Sequence, residues 1–126
     1  MIEGNFIGTN STGTAALANA SFGILVHTGA TNVTIGGTTP AARNLISGNN
    51  YGIVFGQGGG AGGGGSNHLV QGNLIGTDAT GGNAIAGQDR GIETLGVTSN
   101  ILIGGSTAAS RNVVSGNVNY GIRFRS

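Results

Sequence analysis

The stretch RNLISGNNYGI, from Arg43 to Ile53, returns as RNVVSGNVNYGI between Arg111 and Ile122. A phrase this specific recurring at so long a spacing marks stacked structural units. Sliding the chain against itself by 68 residues aligns positions 2–49 with 70–117, and 22 of those 48 pairs are identical, which is too many for chance. The matches fall in blocks: EGNFIGT faces QGNLIGT, NVTIGG faces NILIGG, and RNLISGN faces RNVVSGN. The chain therefore reads as a single domain, residues 1–126, built from repeat copies at about 2–69 and 70–126. One extra residue after Asn117 shifts the second copy's Tyr-Gly-Ile, a change a turn absorbs.

Each copy divides again, because three short phrases recur in fixed order. Gly-Ile-x-x occurs at Ile24, Ile53, Ile92 and Ile122. Asn-x-x-Ile/Val-x-Gly occurs at Asn32, Asn67 and Asn100, and Asn-x-Ile/Val-Gly/Ser at Asn44, Asn73 and Asn112. Aliphatic residues spaced by two, bounded by Gly and Asn, make these short strands and not amphipathic helices. Three strands per turn predicts an all-β parallel solenoid of about four coils, two to each 68-residue repeat. Its core is expected in columns, with Ile24, Ile53, Ile92 and Ile122 on one wall, Ile35, Val70 and Ile103 on a second, and Ile46, Ile75 and Val114 on a third. Between the inward pairs of the first strand lie Leu25, Val54, Glu93 and Arg123, and tolerance of charge there predicts an outward, solvated position. The recurrent Asn32, Asn44, Asn67, Asn73, Asn100 and Asn112 are expected to form a side-chain ladder from coil to coil.

Composition excludes several classes of function. Glycine supplies 28 of 126 residues, whereas only 7% of the chain is charged, all five basic residues are Arg, and the formal net charge is +1. So weak a field speaks against nucleic-acid partners, and the short apolar runs speak against membrane insertion. With no Cys there is no disulfide framework or thiolate site. Met1 leads into IEGNFIGT with no signal-peptide pattern.

GNLIGTDATG, TIGGTTPAARNLISGNN and YGI resemble the parallel β-helix repeats of large bacterial and archaeal secreted or surface proteins, in the pectin-lyase-like, right-handed solenoid class. That resemblance covers essentially the whole chain. It implies a right-handed coil and a secreted or cell-surface location, and it leaves enzymes, adhesins and spacers all open.

Insertions between strands are where chemistry would reside. The Gly-rich segment at 56–66 reads as a loop without reactive side chains, and its Gly-x-Gly-x-x-Gly match lacks the helix and acidic residue a nucleotide site needs. The acids are Glu3, Asp78, Asp89 and Glu93, and they read as solvated surface groups. A catalytic reading would have to use Asp78, Asp89 and Glu93. In an extended chain, Asp89 and Glu93 stand roughly 13 Å apart, beyond the separation of about 5–9.5 Å that glycoside hydrolysis uses. His27 and His68 read as surface residues, because two His without a carboxylate make a poor metal set; no metal or cofactor is implied. Arg43 and Arg111 are expected to bond turn carbonyls, Glu93 and Arg123 to form an exposed cross-strand pair, and Tyr51 and Tyr120 to be structural. The sequence thus favours a non-catalytic structural or adhesive segment of a secreted or surface protein, with polysaccharide contact and end-to-end self-association as its partner expectations. The alternative is a fragment of a carbohydrate-active β-helix enzyme related to polysaccharide lyases and hydrolases.

Overall fold

A computed structural model describes residues 1–56 and 63–125 of the protein. Eleven strands are present in the described residues: β1 (Phe6–Ile7), β2 (Phe22–Val26), β3 (Thr34–Gly36), β4 (Leu45–Ile46), β5 (Tyr51–Phe55), β6 (Gly65–Gln71), β7 (Leu74–Ile75), β8 (Arg90–Thr94), β9 (Thr98–Ile103), β10 (Val113–Val114) and β11 (Tyr120–Phe124). They form three sheets, ordered β1-β4-β7-β10, β2-β5-β8-β11 and β3-β6-β9, with every strand pairing parallel. Ile2 adds a bridge to Ile35 at the open edge of the third sheet. The chain visits the sheets in rotation, so each strand lies beside its equivalent from the previous round. This nearly all-β arrangement is consistent with a β-helix-like fold. Two single-turn 3-10 segments, Pro40–Ala42 and Ala108–Ser110, sit between the third and first sheets.

Register explains the repeated sequence. Ile24 pairs with Ile53 and Ile53 with Ile92; Ile35 pairs with Val70; Ile46 pairs with Ile75. These side chains meet Phe55 in one interior cluster, and the central ones are completely buried. Burying each such side chain contributes about 1.5–3 kcal/mol, which stacking alone makes available. The last rung differs from the expected core. Ile122 is 45% exposed and Ile103 and Val114 are half-buried, because among the described residues no strand lies beyond β9, β10 and β11 to cover them. The outer face of the first sheet is not bare either: Leu45 and Leu74 are buried, and the loops around Gly13 and Gly81 pack on them.

The six asparagines separate into two groups with different roles. Asn44 and Asn73 are fully buried, and Asn112 half-buried, in a continuous ladder that Asn5 extends. Asn5 N–H donates to Asn44 Oδ1 at 3.0 Å, Asn44 N–H to Asn73 Oδ1 at 3.3 Å, and Asn73 N–H to Asn112 Oδ1 at 3.0 Å. The side-chain amides follow the same path at 3.2, 2.9 and 3.0 Å. Asn32, Asn67 and Asn100 do not form such a ladder. They are exposed at corners with φ of 57°, 60° and 50°, joined only by Asn100 Nδ2 donating to Asn67 Oδ1. Left-handed backbone accounts for their recurrence, since Asn tolerates it better than other side chains.

The Gly-rich insertion is shorter than 56–66, because Gly65 already begins β6 and Gly56 bridges Gly63. The remainder of that expectation, residues 57–62, lies outside the described residues.

Candidate functional site

The densest group of charged and aromatic side chains lies on the outer face of the second sheet. Phe22, Tyr51, Arg90 and Tyr120 are register partners in β2, β5, β8 and β11, so they stand in one file. Glycine places them outside. A Cβ at Gly52 would lie 2.5 Å from Gly91 O and 3.3 Å from the core methyl of Ile75, so this position faces inward and has no room for a side chain. Ile53 also faces inward, and the broken alternation leaves residues three apart on the same outer face. Arg90 therefore reaches Glu93.

Arg90 organises the group. Its Nη1 donates to Glu93 Oε2 at 2.7 Å and Oε1 at 2.9 Å, and its Nε donates to Asp89 Oδ2 at 3.1 Å. The guanidinium carbon lies 4.9 Å from the Tyr51 ring centre and 5.8 Å from that of Tyr120. Arg123 stacks on Tyr120 at 4.5 Å and places Nη1 3.6 Å from Glu93 Oε1. Phe22 lies 5.3 Å from Tyr51. The hydrogen bond to Glu93 raises the Arg90 pKa above its ordinary value, with burial opposing. Asp89 also accepts from Asn119 Nδ2 through its other oxygen.

These contacts correct the sequence reading of Glu93. It pairs with Arg123 across strands as expected, yet its side chain is only 1% exposed, not solvated. Arg90 supplies the donors, and Arg123 a second positive charge, that let a carboxylate stay buried. Asp89 and Glu93 do come together, as partners of one cation and not as a facing pair across open space. Asp78 is separate. Its carboxylate organises its own exposed loop, accepting from Thr80 N–H and Oγ1, Gly82 N–H, and Asn83 N–H and Nδ2. Those bonds, led by Thr80 and Asn83, lower its pKa to about 2. Glu3 is exposed.

His68 also departs from expectation. It is 2% exposed, accepts from Val33 N–H through Nδ1 at 3.3 Å, and faces Gly64 O through Nε2 at 2.8 Å. Those partners assign the Nε2–H tautomer. Phe55 covers the ring at 5.0 Å, whereas His27 is exposed. Among the described residues no three His, Cys, Asp or Glu side chains gather as a metal set, and no helix is long and apolar enough to cross a membrane. Arg43 Nε donates to Gly72 O at 3.1 Å, as a turn-bonding residue should. Arg111 makes no side-chain hydrogen bond among the described residues.

The site's organiser, Arg90, and its Phe22 partner were not singled out by motif. Register carries that signal: the 68-residue offset aligns Phe22 with Arg90, and Tyr51 with Tyr120 once the added residue is counted. A concavity of about 160 Å³, bounded by Phe22, Tyr51, Arg90, Glu93, Leu95 and Arg125, opens beside the file. No family model, curated protein or solved structure matches this chain.

Proposed function

We propose that the protein is a right-handed parallel β-helix of four coils, two per 68-residue repeat, in the pectin-lyase-like class. In this reading it serves as a non-catalytic scaffold segment of a secreted or cell-surface protein. The observation that carries the non-catalytic part is the occupation of Glu93 and Asp89 by Arg90. General acid–base chemistry needs a carboxyl oxygen directed at substrate. Here both Glu93 oxygens accept from Arg90, and Asp89 is divided between Arg90 and Asn119. What the face does offer is ring surface and guanidinium edges along the stacking axis, chemistry suited to adhesive contact with sugar rings and their acidic groups.

The test is incubation of the chain with a panel of acidic and neutral polysaccharides, scored for chain shortening and new reducing ends. Intact glycans are expected, with or without retention of the protein on the polymer. Shortening of any one glycan, abolished by Glu93→Gln or Asp89→Asn in a folded variant, would establish the carbohydrate-active alternative.

A further inference from the structure

The two ends of the stack are complementary, and we infer that they join a second copy of this chain head to tail. The proposal deepens the solenoid reading above and rests on it. A two-coil repeat means that the fourth coil is equivalent to the second, and the first to the third. The fourth coil of one copy against the first of another therefore reproduces the junction already made between the second and third coils.

The internal junction pairs Ile35 with Val70, Leu45 and Ile46 with Leu74 and Ile75, and Ile53 with Ile92. Moving each by the repeat places Ile103 on Ile2, Val113 and Val114 on Phe6 and Ile7, and Ile122 on Ile24 of the second copy. Every pair is apolar. Several of these side chains are uncovered in the single chain: Phe6 is 48% exposed and Ile122 45%. Ile103, Val114 and Ile122 line a concavity of about 420 Å³ on the last coil.

Polar groups match as well, and in direction. Along the buried Asn ladder each N–H donates toward the later coil. Among the described residues, this leaves Asn112 N–H without an acceptor at one end and Asn5 Oδ1 without a donor at the other. The same junction would bring them together. Arg43 Nε bonds Gly72 O across the internal junction, so the repeat assigns Arg111 the carbonyl of Gly4 in the next copy. Gly4 and Gly72 share the left-handed conformation that presents this carbonyl, with φ of 69° and 67°. Arg111 is exposed in the single chain. Because the two faces differ, the contact is heterologous and does not close; growth is linear.

Light scattering coupled to size exclusion over a concentration series tests this, using the parent, Ile122→Lys and Phe6→Arg. The parent mass is expected to rise with concentration, while each variant stays at its one-chain mass of about 12.2 kDa. An equimolar mixture of the two variants is expected to settle at twice that mass, since only one competent pair of faces remains. Arg111→Ala is expected to weaken parent association by about tenfold while leaving dilute-solution melting unchanged. Circular dichroism accompanies every sample. A folded parent that stays monomeric would overturn the second-copy junction. A mixture that remains monomeric, or grows beyond two, would overturn the head-to-tail geometry. A parent without cooperative β-sheet melting would overturn the solenoid reading itself.

Discussion

Two files of amide side chains run along the stack, and only one is continuous. In the first, Asn5, Asn44, Asn73 and Asn112 repeat the same two bonds at every step. In the second, Asn19 donates to Asn49 Oδ1 through N–H at 3.0 Å and Nδ2 at 3.1 Å, and Gln88 Nε2 donates to Asn117 Oδ1 at 2.8 Å, but Asn49 and Gln88 are not joined. Gln88 is completely buried, and its Oε1 is the one buried side-chain polar atom without a partner among the described residues. One file is made of four residues from equivalent corners. The other draws alternate members from two insertions of equal length, where the amide sits one residue later in the second copy and is a Gln. A ladder needs both the amide and an identical backbone placement; the amide alone gives pairs.

The strongest way to break this contrast is Asn73→Ala. It removes the acceptor for Asn44 and the donor to Ile35 O, Gln71 O and Asn112 Oδ1 in a buried setting. Several orphaned groups at about 1–3 kcal/mol each predict a loss of at least about 3 kcal/mol in urea unfolding. A loss under about 1 kcal/mol would remove the ladder from the account of stability. Asn49→Ala strikes the interrupted file and is expected to cost about 1–2 kcal/mol, because Ile7 O and the Asn19 amide lose their partner while no bond to Gln88 exists to lose. Should Asn49→Ala match Asn73→Ala, continuity would carry no energetic weight.

Gln88→Met sharpens the comparison from the other side. It gives up the bond to half-buried Asn117 but also removes the unpartnered oxygen, so unfolding free energy is expected to change by about 1 kcal/mol or less. A cost near that of Asn73→Ala would mean that Gln88 Oε1 has a partner in solution. The smallest effect concerns the exposed loops above these files, where Asp78 and Asn10 hold equivalent turns. Asp78 has its pKa lowered from 3.8 to about 2, so its contribution is complete above the unfolded value and is lost as pH falls toward 2. Asp78→Asn is expected to lower stability slightly at neutral pH and to flatten the acid limb of the melting profile, so that variant and parent converge as pH falls toward 2. An unaltered acid limb would show that the loop does not depend on the charge.

What was legible in the sequence follows the same division. The columns Ile24–Ile53–Ile92, Ile35–Val70 and Ile46–Ile75 could be read because stacking demands the same residue type at a constant offset. Asn44, Asn73 and Asn112 were readable for the same reason. Asn32, Asn67 and Asn100 recur equally well but do so for backbone conformation, and recurrence does not distinguish a bonded side chain from a left-handed turn. The burial of Glu93 was hidden because it depends on Arg90, three residues away on a face where glycine suspends strand alternation. His68 was hidden because its cover comes from Phe55, its counterpart being in another strand. The second amide file escaped notice because Asn19 and Gln88 are not separated by the repeat length.

The progressive covering of the columns, from 7% exposure at Ile24 through none at Ile53 and Ile92 to 45% at Ile122, gives the molecule a gradient of protection along its axis. Each strand depends on its immediate neighbours, so opening spreads from the ends inward, and amide exchange with solvent should be fastest in β11 and slowest in β5 and β8. Such an end is also a reservoir of adaptability: the outermost rung can unfasten and refasten without disturbing the registry of the middle.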